Sequence, residues 1–333
     1  MKKLWLIALS WLFWGVSYYL TYPFISIYTV KFTPDVSLVY VFYTLFAIPM
    51  PILGAWMSKK IGVVKAMWFG MFVSGFGYLL VSFARNLVEL VLGFMISYTT
   101  FLSLPNFYSY MSSCGKGSIS KVWGISILPS LFTPTLAGFI GSYFSLRLVF
   151  LLAGVFNWLS SAPLLFLEER SLPRGKIVIG RRKLIPILVI FPISLVFPYV
   201  FLEVKTLYEL SDVYVGFLAT LAEVLGMFLV FLSSKRFLLP FLLLLFSLVP
   251  LIYVSPFFSL LFGSWEAIIP SSLEEVDDKS PEAFASINSL QQMGWLTGFL
   301  VSSLPFPPFI SMLFSSIFSI ALSILLVSRK LSI

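Results

Sequence analysis

Glu168-Glu169-Arg170-Ser171-Leu172-Pro173-Arg174-Gly175-Lys176-Ile177-Val178-Ile179-Gly180-Arg181-Arg182-Lys183 is the longest hydrophilic stretch of a 333-residue chain, and it stands near the middle. Almost everything on either side is apolar. The hydrophobic class makes up 59% of residues, charged residues only 11%, and the mean hydropathy is +1.00. A soluble domain averages about 45–50% apolar and about 25% charged residues. Such a composition excludes a soluble enzyme, a disordered chain and a secreted disulfide scaffold. With 36 Phe, 15 Tyr and 9 Trp, the surface calls for lipid rather than water. The chain reads as an all-α integral membrane protein.

About 20 predominantly apolar residues cross a bilayer as a helix. Working outward from the central stretch and cutting at charge clusters and Gly/Pro/Asn/Ser breaks predicts twelve transmembrane helices. They cover 4–30, 37–58, 63–84, 87–112, 121–144 and 147–167 before it, and 184–204, 213–234, 237–254, 256–273, 283–303 and 307–328 after it. The domains expected are a six-helix bundle over 1–167, a cytoplasmic linker over 168–183 and a second six-helix bundle over 184–333. The least marked cut is Ser255-Pro256. Met1-Lys2-Lys3 followed by an apolar run has the outline of a signal peptide. That run continues past Tyr22 without an A-x-A-like cleavage site, so an uncleaved first span is expected.

Charge placement gives the orientation, because cytoplasmic loops collect Lys and Arg. With the N-terminus inside, Lys31, Arg85, Arg147 and Lys205 fall outside and the other 18 of 22 basic residues fall inside. One miscounted span would scramble that alternation. The expectation is a multi-pass protein of the cell membrane with both termini cytoplasmic, acting as a monomer in the lipid bilayer. The net charge of +8 follows topology, so nucleic acid is not a partner. With no histidine and one cysteine, Cys114, neither a transition-metal site nor an internal disulfide is expected. No metal or other cofactor is predicted.

The two halves share local features in the same order. Ser58-Lys59-Lys60 after span two is echoed by Ser234-Lys235-Arg236 after span eight, and Pro23 in span one by Pro198 in span seven. Leu136-Ala137-Gly138-Phe139 in span five is echoed by Leu296-Thr297-Gly298-Phe299 in span eleven. A six-helix unit used twice is a transporter architecture with its site at the midplane between the halves.

On these residues the chain resembles the major facilitator superfamily. Ala55 to Lys65 is similar to that family's G-x-x-x-D-R-x-G-R-R signature at Lys60, Gly62 and, one place late, Lys65. Lys59 stands where the family has its acid, and in the family that acid helps hold one gating state. Thr133-Pro134-Thr135-Leu136-Ala137-Gly138 is similar to the span-five pattern G-P-x-x-G-G at Pro134 and Gly138, and Leu146-Arg147-Leu148-Val149-Phe150 resembles the W-R-x-x-F entry to span six through Arg147. The resemblance implies that spans one, four, seven and ten line a central cavity. Spans two, five, eight and eleven would flank it, and three, six, nine and twelve would face lipid. As helix-packing residues, Pro134 and Gly138 are equally at home in ordinary close contacts.

A charge at the bilayer centre costs at least about 2.5–3.5 kcal/mol, so an ionisable group there is a functional candidate. Glu223 in span eight and Glu266 in span ten qualify, as carriers of a proton or as counter-charges for a cation. Neutral polar residues recur at helical spacing: Thr99, Ser103, Asn106 and Tyr110 in span four, and Asn288, Gln291, Gln292 and Trp295 in span eleven. Trp11, Trp14, Tyr18 and Tyr22 form an aromatic stripe in span one. Thr99, Asn106, Asn288, Gln291 and Gln292 are the expected substrate contacts, with Trp14 and Tyr18 stacking on the solute. Interhelical hydrogen bonding is the competing reading for the polar stripes, and plain packing for the aromatic one.

The function expected is a secondary active transporter that exports a small amphipathic or cationic organic solute in exchange for protons by alternating access. Uptake of a sugar or carboxylate metabolite is the alternative. Without a mid-membrane Arg or Lys, phosphate esters and multiply charged anions are disfavoured. A rival from another class is a membrane-embedded magnesium-dependent transferase built on Glu274-Glu275-Val276-Asp277-Asp278, an acidic run with no second cluster to complete it. A scaffold or receptor on the same fold is a third reading. Cys114 and the basic linker carry no assigned role, since positive-inside bias already accounts for the linker.

Overall fold

The computed structural model describes residues 2–115, 117–177, 185–232, 238–268 and 278–329. Their regular structure is helical throughout, as lipid requires of a chain that must satisfy its own backbone groups. Among the described residues nine helices are long and apolar enough to cross a membrane. They are spans one (Leu4–Thr29), two (Val36–Ile61), three (Val63–Phe83), four (Leu87–Ser113), five (Lys121–Tyr143), six (Leu146–Phe166), seven (Ile187–Leu207), eight (Asp212–Val230) and twelve (Pro308–Ser328). The remaining helical runs fall where spans nine, ten and eleven are expected. Leu239–Tyr253 is apolar but short. The next begins at Pro256 and is described as far as Ile268. Pro281–Ser302 has the length, but its Glu282, Asn288, Gln291 and Gln292 make it less apolar than the nine.

Polar residues start these helices where the backbone would otherwise leave N–H groups unpaired. Asp35 accepts from the Leu38 N–H at 3.3 Å, Asn86 from Glu89 at 2.9 Å, Ser145 from Leu148 at 3.3 Å and Ser280 from Ala283 at 3.2 Å. The paired prolines interrupt both helices that carry them. Pro23 sits in a 3-10 turn over Tyr22–Phe24, and Pro198 in a turn that separates Ile185–Val196 from Val200–Leu207. A proline removes a helical hydrogen bond, and the tighter turn re-aims the side chains beside it.

Spans one, three, four and six pack on one another, as do spans seven, eleven and twelve and spans eight and ten. The first set, with span five beside span one and span two beside span three, meets the other two where span five crosses span eight and where span eleven crosses spans two and four. Spans eight and ten approach so closely that a Cβ on Gly263 would collide with the backbone carbonyl of Ala222. That contact is one residue removed from Glu223, so the glycine sets how near the two glutamate-bearing helices stand.

Span twelve is only 33% buried and carries exposed Phe314, Ile317, Ile324 and Leu325, a lipid face; span seven, at 67%, is the most enclosed of the nine. Spans three and six are as buried as spans one and four. Burial alone therefore does not separate cavity-lining from lipid-facing spans in the way the family layout implies.

Candidate functional site

The two membrane-embedded glutamates come together. Glu223 of span eight and Glu266 of span ten are 0% and 1% exposed, and their carboxyl groups face each other. Glu266 is held by span one, whose Tyr19 donates to its Oε1 at 3.0 Å. The indole of Trp123, from span five, also faces Glu266. Glu223 is different: both of its carboxyl oxygens are buried without a hydrogen-bond partner. The phenol of Tyr22 and the indole N–H of Trp265 face it, and each of these is itself buried and unpartnered. A buried polar group left unpaired costs about 1–3 kcal/mol, more when charged. A protein keeps three such groups pointed at one spot when something else satisfies them there.

Aromatic rings close this cluster. Tyr18 stacks on Tyr22 with centroids 5.5 Å apart and planes at 9°, and on Trp14 at 5.7 Å and 21°. Trp265 lies 6.2 Å from Tyr18 and 6.2 Å from Phe197. Tyr22 also meets Phe201 edge-on at 5.8 Å. The stripe in span one thus has two jobs. Trp11 packs against Phe107, Tyr108 and Trp123, whereas Tyr18 and Tyr22 wall the glutamates.

The polar stripe of span four donates to carbonyls of its own and neighbouring segments, as the interhelical reading of these residues expects. Thr99 donates to Ile96 O at 2.7 Å and Gly70 O at 3.3 Å, Ser103 to Met67 O at 2.6 Å, and Asn106 to Gly54 O at 3.1 Å. Tyr110 reaches Glu168 O at 3.0 Å. Apart from Ile96, in span four itself, these are carbonyls of spans two and three and of the stretch after span six, and in an apolar medium they are the partners nearest to hand. In span eleven Asn288 donates to Gln291 at 3.0 Å while its own carbonyl oxygen stays unpartnered. Gln292 is buried, and Trp295 stacks on Phe299.

The signature residues after span two lie at the end of the bundle that carries the linker. Gly62 has φ +99, a left-handed conformation that glycine adopts without strain. Immediately after it, the N–H groups of Val63, Val64 and Lys65 all bond the Glu169 carboxylate, at 3.0, 3.0 and 3.2 Å. An anion at a helix N-terminus is stabilised by the unpaired N–H groups and the helix dipole. Lys60 lies over the Trp56 ring at 5.0 Å.

Lys59, which stands where the family has an acid, pairs with Glu282 at the start of span eleven at 2.9 Å. Arg174 approaches Glu282 at 3.8 Å and also bonds Ser58, and the Gly175 N–H donates to Glu282 at 3.2 Å. Ser109 of span four bonds Lys279 O at 2.6 Å. Span two, span four and the linker are thereby tied to the start of span eleven. In this pair the base is on span two and the acid on span eleven.

At the other end Tyr199 bridges the groups, accepting from Ser37 at 2.7 Å and donating to Ser302 O at 2.5 Å. Two surface depressions of about 480 and 350 Å³ lie there, lined among others by Lys31, Lys205 and Arg147. Arg147 bonds Ala84 O at 3.4 Å. Pro134 and Gly138 sit in the crossing of spans five and eight, Gly138 against the Asp212 backbone and Pro134 O against Gly216. Ties at both ends and near-zero exposure of the glutamates leave the cluster sealed in this conformation.

Tyr19, Tyr22, Trp123, Trp265, Glu169 and Glu282 were not among the site residues expected from sequence. Tyr22 is the last member of the span-one stripe; Glu282 belongs to none of the sequence patterns. Of the proposed magnesium-binding run, Glu274 to Asp277 lie outside the described residues, as do Lys235, Arg236 and Arg181 to Lys183. Asp278 accepts from the Ser280 N–H at 2.9 Å, a turn contact. Among the described residues no group of three or more His, Cys, Asp or Glu is placed to hold a metal ion.

No protein-family model and no curated protein matches the sequence. Solved structures do. The human organic anion transporter MFSD10 (TETRAN) is similar over 98% of this chain and 99% of its own, with TM-score 0.73 and 14% identity. An auto-inhibited peptide transporter of the POT family is similar over 99% and 97%, with TM-score 0.79 and 9% identity. The POT family transporter PepTSo gives 0.74 and 10% over 99% and 98%. At such identities the likeness is one of fold. The chain is a multi-pass membrane protein with the major-facilitator fold, as its degenerate motifs led one to expect.

Proposed function

We propose that this chain is a secondary active transporter that moves a small organic solute by alternating access, with Glu223 and Glu266 exchanging protons against it. The observation that carries the reading is Glu223, a buried carboxyl with both oxygens unpartnered beside a second carboxyl, in a fold whose solved neighbours are transporters. Desolvation disfavours the charged form of a carboxyl, so such a group is suited to take up and release a proton as its surroundings change.

The two bundles (1–167 and 184–333, joined by 168–183) rock about this cluster, and the ties at either end open in turn. The basic residues put the linker end and both termini in the cytoplasm, so Lys59, Arg174 and Glu282 form the inner gate and Tyr199 belongs to the outer one. Exchange in the export direction is the mode proposed. Transport rather than catalysis is the activity.

The test is reconstitution in vesicles with an imposed pH gradient and a trapped pH-sensitive dye, screened against cationic, neutral and anionic solutes. An active solute collapses the gradient faster in protein-containing vesicles than in empty ones. No solute-dependent proton movement in any class would overturn the coupling.

A further inference from the structure

Resting on that reading, we infer the class of solute: once the bundles open, Glu223, Tyr22 and Trp265 together receive the protonated head of an aromatic amine, an ammonium that still carries an N–H. Three observations converge on it. The first is charge. The groups facing Glu223 are Glu266 and Trp265 from span ten and Tyr22 from span one, with Tyr18 and Tyr19 of span one behind them. All the ionisable ones are acids, and no described lysine or arginine stands among them. An ionised carboxyl here therefore needs a cation brought from outside, and burial makes that need acute.

The second is hydrogen bonding. Both Glu223 oxygens lack a donor. A quaternary ammonium would supply charge and leave them unbonded, whereas an N–H cation supplies both. Tyr22 and Trp265 face the carboxyl without completing a hydrogen bond to it, so the donor that satisfies Glu223 has to enter between them. The third is the wall. Tyr18 and Tyr22 stacked at 9° and 5.5 Å, with Trp265 at 6.2 Å from Tyr18, give ring faces to a cation and aromatic surface to a flat substituent.

Sugars fit this wall less well: the groups that face Glu223 are a carboxyl, a phenol and an indole, with no carboxamide among them to read hydroxyls.

A proton and the ammonium compete for one carboxylate, which is the condition for exchanging one against the other. Glu223 binds the amine when ionised and releases it when protonated, so amine affinity falls as pH falls.

The experiment uses the full chain in lipid nanodiscs and calorimetric titration with four probes that share a phenyl ring: phenethylamine, phenethyltrimethylammonium, phenyl glucoside and 3-phenylpropionate. The wild-type chain is expected to bind phenethylamine at least tenfold more tightly than the trimethylammonium or the glucoside, and the carboxylate not at all. Glu223→Gln, checked for an unchanged size-exclusion profile, is expected to weaken phenethylamine at least tenfold. The trimethylammonium binding as well as the amine, the glucoside matching it, or the carboxylate exceeding it would each overturn the inference, and the wild-type ranking needs no variant to do so. Failure here is separable from failure of the transport reading. If some other solute drives proton movement in vesicles while the amine does not bind, the solute class is wrong and the coupling stands. If the amine binds with this ranking but moves no proton, the solute class stands and the coupling falls.

Discussion

Glu223→Gln in reconstituted vesicles is expected to lower solute-driven proton movement at least about a hundredfold, with the folded protein recovered in normal yield. The substitution keeps the shape of the side chain and removes only its capacity to ionise. Glu223 already sits without hydrogen-bond partners, so an amide there breaks no existing contact, and stability is expected to change little. The transport cycle loses the group that alternates between proton and solute. Glu266→Gln is expected to have a smaller effect on flux, because Tyr19 already donates to Glu266 at 3.0 Å and an amide oxygen accepts that bond equally well. Both variants are measured by gradient collapse with the pH-sensitive dye. Equal losses in the two would mean that the pair acts as one unit, and unchanged flux in Glu223→Gln would remove the carboxyl from the mechanism.

Breaking the tie between span two and span eleven is expected to have the second large effect. Glu282 is buried, with a side chain 3% exposed, while Lys59 is 49% exposed. Removing one partner of a fully buried ion pair costs about 3–5 kcal/mol. An exposed pair is worth about 0–1 kcal/mol. Glu282 also accepts the Gly175 N–H at 3.2 Å and is approached by Arg174 at 3.8 Å, so Glu282→Ala leaves several groups unpaired at once and lies between these limits.

The readout is a single cysteine placed at Ser109, in a Cys114→Ala background. Ser109 is 1% exposed and bonds the Lys279 carbonyl just before the start of span eleven. Alkylation by a membrane-impermeant maleimide is expected to speed up at least tenfold in Glu282→Ala. Lys59→Ala, which removes the exposed partner, is expected to give a smaller rise. The exchange Lys59→Glu with Glu282→Lys is expected to restore part of the protection, since it returns the pair to opposite charge. No change in labelling in any of the three would mean that the gate does not rest on this pair.

Much of the fold was legible because the bilayer imposes a single solution on long apolar runs. Spans expected at 63–84 and 87–112 are found as Val63–Phe83 and Leu87–Ser113, the starts coinciding where a glycine or an asparagine precedes the helix, while the helix expected from 121 already opens at Ser118. The break at Ser255-Pro256 is present between Tyr253 and the run that begins at Pro256, as a proline demands at a helix start. Glu223 and Glu266 were singled out by cost alone, since neither stands in a periodic pattern.

What the sequence could not reveal was how the polar groups pair. Thr99, Ser103 and Asn106 form a clean helical stripe whether they face a solute or the carbonyls of spans two and three, because periodicity specifies a face and not what the face meets. The partners of Glu282 and Glu169 come from segments more than a hundred residues away, and only the packed bundle brings them near. Lys59, which stands where the family has its acid, finds an acid in Glu282 at the start of span eleven, a pairing that no motif comparison of one segment exposes.

The central claim is that the sealed glutamates face water from each side of the membrane in turn. Sided modification tests it most directly: a water-soluble carbodiimide is applied to the outside or trapped inside oriented vesicles, and adducts on Glu223 and Glu266 are located by peptide mass spectrometry. The account predicts adducts on Glu223 from either side, fewer when the Lys59–Glu282 gate is cross-linked shut and the reagent is confined to the cytoplasmic face. Protein that remains unmodified at both residues from both sides, while surface carboxylates such as Glu209 react, would contradict it.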